Sequence, residues 1–219
     1  MPGRAPRAVQ QPAYTRLMTD DRKKLDLWFD PACPWAWMTS RWALEVARVR
    51  PVEVEFHVMS LAVLNEGRDL DPGYRRHMDN SWAGARVALA VQQQYPERLA
   101  DFYTAVGTRI HPGGEPNARA THEAALLEAG LPIDLADAGE TDANDDALRA
   151  AQAQVTEQVG DDVGTPVIRV DGMSLFGPVM SPAPKGEEAG RLWDGFVNVV
   201  AYPGFFELKR SRTVDPIFD

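Results

Sequence analysis

Apolar and polar positions alternate twice near the start of the chain and then stop alternating. Leu25, Leu27 and Phe29 are interleaved with Asp26 and Trp28, the period of two expected of a half-buried strand. Val52, Val54, Phe56 and Val58 are interleaved with Glu53, Glu55 and His57 in the same way. Between the two runs the period lengthens. Met38, Trp42, Val46 and Val49 form a helical stripe that follows Pro31 and Pro34 and ends at Pro51. A strand, a helix and a strand in so short a span predict a βαβ unit, with parallel strands and a right-handed crossover.

From about Pro72 to Glu157 the alternation fades and Ala, Leu, Gln, Glu and Arg dominate. Breaks fall at Tyr95-Pro96, His111-Pro112-Gly113-Gly114, Gly130-Leu131-Pro132 and Gly139, which predicts roughly four or five helices. Leu148, Ala151 and Val155 mark the apolar stripe of the last one. Val167 to Val170 and Met173 to Phe176 are β-prone and flank Asp171-Gly172, a strong hairpin signal. Ala189, Leu192, Phe196 and Val199 predict a closing helix. Residues 22–62 and 158–219 therefore read as one α/β domain, residues 63–157 as a helical insertion, and residues 1–21 as a disordered leader.

Composition narrows the function. The chain has 219 residues, 44% hydrophobic and 25% charged, ordinary for a soluble globular protein. A net charge of −9 argues against a nucleic-acid surface. Much of the acidity lies between Asp134 and Asp162, where nine acids face the single base Arg149; a solvated helical face explains it, an acidic docking surface being the alternative. No stretch approaches the ~20 apolar residues of a membrane span. The leader lacks the apolar core of a signal peptide, so a cytoplasmic, reducing setting is expected. His57, His77, His111 and His122 show no metal-ligand spacing, and nucleotide-loop and serine-hydrolase motifs are absent, so no metal is expected. His57 faces either solvent or a packed helix, and His111 sits on a loop that could reach a cleft.

The chain contains one cysteine, Cys33. It stands just past the first strand, and Pro34 suits the first helical position, which makes Cys33 the N-cap. Unpaired N–H groups and the helix dipole favour a thiolate there. A helix terminus contributes up to ~2 kcal/mol, enough to bring a thiol from about 8.5 to about 7. A moderately activated nucleophile is expected, against the alternative of a small buried filler. Trp35, Trp37 and Trp42 place aromatic surface beside it.

The strand LDLWFD, the turn Pro31-Ala32, the helix opening Cys33-Pro34-Trp35-Ala36 and the run Val163-Gly164-Thr165-Pro166 resemble the DsbA family of thioredoxin-fold oxidoreductases, as does the helical insertion. More narrowly, FDPACPWAWMTSRW, EFHVMSLAVLNE, FGPV and GEEAGRLWD are similar to the mycothiol-dependent nitroreductase group of actinobacteria, from about Lys24 to Asp219. The resemblance implies a thioredoxin fold with Cys33 as attacking residue and Pro166 as a cis proline facing it. It further implies that Thr165 presents backbone to a bound thiol or peptide, and that Pro34 and Trp35 line the entrance.

The family motif has a second cysteine where this chain has Ala36. Whether Ala36 is natural or engineered, no residue of the chain can resolve a mixed disulfide, so release needs an external thiol. The expected function is a monothiol oxidoreductase with no permanently bound cofactor. A small thiol, mycothiol or glutathione, serves as co-substrate for a small-molecule or disulfide substrate, and a homodimer is possible. Two alternatives stay open. Kappa-type glutathione transferases and related isomerases carry serine in place of Cys33 and hold the thiol cofactor non-covalently. A thioredoxin-fold module that only binds partners would also tolerate Ala36.

Overall fold

The computed structural model describes residues 22–219; the expected leader lies outside them. Strand β1 (Lys23–Phe29), helix α1 (Pro34–Val49) and strand β2 (Val52–Val58) form the βαβ unit, with β1 and β2 parallel. A short helix α2 (Leu61–Leu64) leads into α3 (Pro72–Gln94), α4 (Leu99–Ile110), α5 (Arg119–Glu128) and α6 (Asp145–Val159), with 3-10 turns at Pro96–Arg98 and Ile133–Glu140. Strands β3 (Val167–Val170) and β4 (Met173–Phe176) and helix α7 (Gly186–Val200) follow. The sheet order is β2-β1-β3-β4, and β3 runs antiparallel to both β1 and β4.

The hairpin turns where expected. Asp171 and Gly172 have φ of 52° and 83°, the pair of positive angles that a two-residue turn needs to match strand twist. Gly172 takes its angle without strain.

Strand β1 is buried on both faces, not half-buried as its alternation suggests. Leu25, Leu27 and Phe29 are fully enclosed on the side shared with α1 and α4, where Phe29 stacks on Tyr103 at 3.6 Å. Asp26 and Trp28 point the other way and are also buried. Trp28 packs with Met59, Val155 and Val167, so α6 covers the face that the polar positions appeared to give to solvent. A central strand between helical layers loses both its faces, and period-two patterning cannot reveal that.

Helix α7 buries a different stripe from the one its spacing suggests. Ala189 is buried, but Leu192 and Val199 are exposed, and Trp193 and Val200 face the core. Trp193 and Phe196 meet Trp42 at 6.1 and 6.2 Å, and the largest aromatic set the rotation of the helix. Helices α1 and α4 approach so closely that a Cβ on Gly107 would stand 2.3 Å from the Trp37 ring. Four of the nine acids in the acidic stretch pair with a base, three of them with one from elsewhere in the chain. Asp145 pairs with Arg86, Asp137 with Arg119 and Asp161 with Arg68, while Asp146 pairs locally with Arg149.

Candidate functional site

Cys33 is the N-cap of α1, in extended conformation with Pro34 in the first turn. Its sulfur accepts the Ala36 N–H at 3.5 Å, and its S–H donates to the Thr165 carbonyl at 3.4 Å. The Thr165–Pro166 peptide is cis and leads directly into β3. Two bonds hold that turn in place: the Thr165 hydroxyl donates to the Trp28 carbonyl at 3.1 Å, and Gly177 N–H to the Pro166 carbonyl at 2.8 Å. The strand end of β1 is thereby tied to the turn that faces the thiol.

Beneath the turn lies Asp30, fully buried. Its carboxylate accepts the N–H groups of Ala32 at 2.8 Å and Leu61 at 2.7 Å, and no cation pairs with it among the described residues. Burial pushes its carboxyl up to about 6, against the pull of those two donors. His111 supports the Pro31-Ala32 turn from the side. One ring nitrogen donates to the Pro31 carbonyl at 3.0 Å, and burial holds the ring down to about 4, so it is neutral at pH 7.

The last residues of the chain cross this region. The Arg212 guanidinium lies 5.0 Å over the half-buried Trp35 ring. Ser181 holds the segment through the Asp215 carbonyl at 3.0 Å and the Ile217 N–H at 2.8 Å, Lys185 pairs with Asp219, and Phe218 rests against His111.

This enclosure changes the thiol. Cys33 is only 5% exposed. Burial pushes it up to about 12; the Ala36 and Trp35 N–H groups and Arg212 pull it down, and the charge of Asp30 adds to the rise. The value of about 7 expected from a helix terminus alone is therefore corrected. The N-cap geometry is present, but desolvation and a buried acid outweigh it, and in this closed arrangement the sulfur is a protonated donor.

Of the residues singled out in the sequence, Thr165 meets Cys33 through its carbonyl across 132 positions, with Pro166 next to it in the cis peptide and Pro34 and Trp35 following Cys33 in the first turn of α1. The tryptophans divide: Trp35 is half-buried, whereas Trp37 and Trp42 are core residues at 4% and 0% exposure. Trp42 spends its N–H on the Ala189 carbonyl. His57 stacks on Trp28 at 4.7 Å and bonds Asp26 at 2.9 Å. Asp26, Glu55 and His57 bring ligand-type atoms within 4.8 Å of one another. The Asp26 oxygens, however, are already taken by Arg169 at 2.9 Å, Lys24 at 3.2 Å and His57, so the cluster is an ion-pair network. Sequence reasoning missed Asp30 as a buried acid and Arg212 altogether. The first stands three residues before the cysteine, a usable signal; the second lies in a segment without periodicity.

A model of one family, described as the mycothiol-dependent nitroreductase Rv2466c, matches residues 32–210. The chain belongs to the Rv2466c-like family. It is also 28% identical over 191 residues to the uncharacterised protein Rv2286c of Mycobacterium tuberculosis, covering 86% of this chain and 82% of that protein. Among solved structures it is similar to the probable DsbA oxidoreductase SCO1869 of Streptomyces coelicolor, at TM-score 0.52 and 17% identity over 89% of this chain and 94% of that one. The cytosolic disulfide reductase DsbM of Pseudomonas aeruginosa, solved with GSH, matches at TM-score 0.53 and 15% identity over 80% and 99% of the two chains. These likenesses establish the fold, a DsbA-type thioredoxin fold with inserted helices. Family membership makes the protein a thiol-dependent enzyme of the thiol-disulfide oxidoreductase type. No helix among the described residues is long and apolar enough to cross a membrane.

Proposed function

We propose that the protein is a monothiol oxidoreductase whose only nucleophile is Cys33. The observation that supports this reading is the placement of the lone thiol at a helix N-terminus, in contact with the Thr165 carbonyl beside Pro166. When substrate displaces the segment carrying Arg212, the thiol gains solvent. The N–H groups of Trp35 and Ala36 then favour its thiolate.

The thiolate attacks one sulfur of a disulfide R–S–S–R′. The S–S bond breaks, R′ leaves as a thiolate, and a Cys33–S–S–R bond forms. An external small thiolate next attacks the R sulfur; Cys33 departs as thiolate and the small thiol ends in a mixed disulfide with R. Thr165 offers backbone to the bound group, Pro34 and Pro166 shape the slot, and Trp35 supplies an apolar wall. Mycothiol is the co-substrate that the family description favours, with glutathione the chemical alternative, and both belong to a reducing cytoplasm.

Intact mass after incubation with oxidised mycothiol, or with oxidised glutathione, tests this. One thiol mass should be added, removed by reductant and absent in Cys33→Ser. No adduct with either disulfide would overturn the proposal. In Ala36→Cys the adduct should be short-lived, because a neighbouring thiol can then resolve it.

One observation favours a second reading. A buried thiol held up to about 12 and donating to a carbonyl behaves as a hydroxyl would, as in transferases that hold a thiol cofactor non-covalently. Full activity in Cys33→Ser would select that reading.

A further inference from the structure

Helix α7 leaves one apolar face without a partner. Ala189, Trp193 and Val200 turn its other side to the core, and that rotation leaves Leu192 and Val199 outside, 42% and 36% exposed. Gly195 lies between them, and a Cβ there would meet nothing within 4 Å. Tyr202, two residues past the helix end, extends the line at 68% exposure, and the exposed Glu188 begins it. From Glu188 to Tyr202 these positions follow at spacings of four, three, four and three, the recurrence that keeps side chains on one helix face.

Symmetry and charge both fit a second copy of this chain. Counted from Gly195, Leu192 lies three residues back and Val199 four on, while Glu188 lies seven back and Tyr202 seven on. Two such helices crossing antiparallel at Gly195 set Leu192 against the partner's Val199, and Glu188 against the partner's Tyr202. A two-fold contact demands that self-complementarity, because each pairing occurs twice. The absent side chain at Gly195 lets the two backbones close at the crossing.

Neither the Glu188 carboxylate nor the Tyr202 hydroxyl has a partner among the described residues, and the hydroxyl can donate to the carboxylate across the pair. Past α7 the chain carries the exposed Phe206 and Leu208, then the exposed Lys209 and Arg210, which pair with no acid among the described residues. An antiparallel pair sets the acidic first turn of one helix, Glu187 and Glu188, beside the helix end from which the partner's basic run departs.

We propose that the protein forms a two-fold dimer through α7, the two helices crossing antiparallel at Gly195.

Sedimentation equilibrium of the full chain tests the assignment. At about 100 μM the protein should sediment at twice its chain mass and dissociate on dilution. Leu192→Glu and Val199→Glu should each weaken association at least about tenfold, with folding checked by circular dichroism. Gly195→Cys in a Cys33→Ser chain should give a covalent dimer on mild oxidation with diamide, and Asp146→Cys in the same chain should not. The cross-link decides the matter even if a charged variant does not fold. A single-chain mass at about 100 μM would overturn the proposal. So would an undiminished dimer in the two charged variants, or a dimer that yields no cross-link from Gly195→Cys.

Discussion

The Cys33 sulfur and the Thr165 carbonyl oxygen stand 3.4 Å apart, with the S–H as donor. That contact joins the N-terminus of α1 to the turn before β3. It also gives the proton of the resting thiol a place that a thiolate could not use, since a carbonyl oxygen accepts and never donates. The closed site therefore favours the protonated sulfur, and chemistry at Cys33 requires the enclosure to open.

A slow thiol follows. In the folded protein at pH 7, iodoacetamide should label Cys33 roughly a thousandfold more slowly than it labels free cysteine. Ending the chain at Arg210 removes the segment that carries Arg212 and Phe218. Burial is the largest influence on the thiol and the Arg212 charge a small one, so uncovering should win over the lost charge. The truncated protein should label at least about tenfold faster, followed by intact mass. A full-length rate equal to that of free cysteine would show that the thiol is not shut in.

Asp30 gives a pH dependence of defined sign. Its carboxyl is raised to about 6 by burial, above the ordinary value of about 3.9. Between those values the native state holds a proton that the unfolded chain has released. The contribution of Asp30 is therefore full below about pH 4 and is lost as pH rises through about 6. The stability of Asp30→Asn relative to the parent should rise by about 2–3 kcal/mol across that window, from a start lowered by the one backbone N–H that the amide NH2 cannot accept, measured by urea denaturation at a series of pH values. Buried His111 and His122, both held down to about 4, impose the opposite slope on both proteins, and the difference between parent and variant cancels it. A difference between variant and parent that stays flat or falls as pH rises from about 4 to about 6 would contradict this account. The thiol should also titrate lower in Asp30→Asn, because the carboxylate charge raises it.

Arg86 and Asp145 form the best-buried ion pair of the acidic stretch, bidentate at 2.7 and 2.9 Å with side chains 17% and 11% exposed. Asp145→Ala leaves a buried guanidinium without its acid and should cost about 3–5 kcal/mol in denaturant unfolding. Asp146, its neighbour in sequence, is fully exposed and pairs only with Arg149. Asp146→Ala should stay within about 0.5 kcal/mol. Equal effects at the two positions would show that the pair does not anchor α6.

The α/β order, the hairpin and the N-cap cysteine were legible in the chain because each rests on local chemistry. Period-two alternation names strands, Pro34 suits a helix start, and Asp171-Gly172 satisfies a turn that demands positive φ. The Cys33 motif and the Val163 to Pro166 run likewise carried the family resemblance. The phase of α7 was not legible, since Leu192 and Trp193 are both apolar and only packing against Trp42 chooses between them. Nor was the enclosure of β1 on its second face, which depends on where α6 lands after a long connection.

The single cysteine shows where that division lies. Sequence by itself determined that Cys33 caps a helix and has no partner thiol within the chain, because both follow from neighbours and a count. Only the tertiary structure decided that the sulfur is protonated and shut in. Desolvation, the charge of Asp30 and the crossing of Arg212 over Trp35 are sums over groups distant in the chain, and no local pattern encodes such a sum.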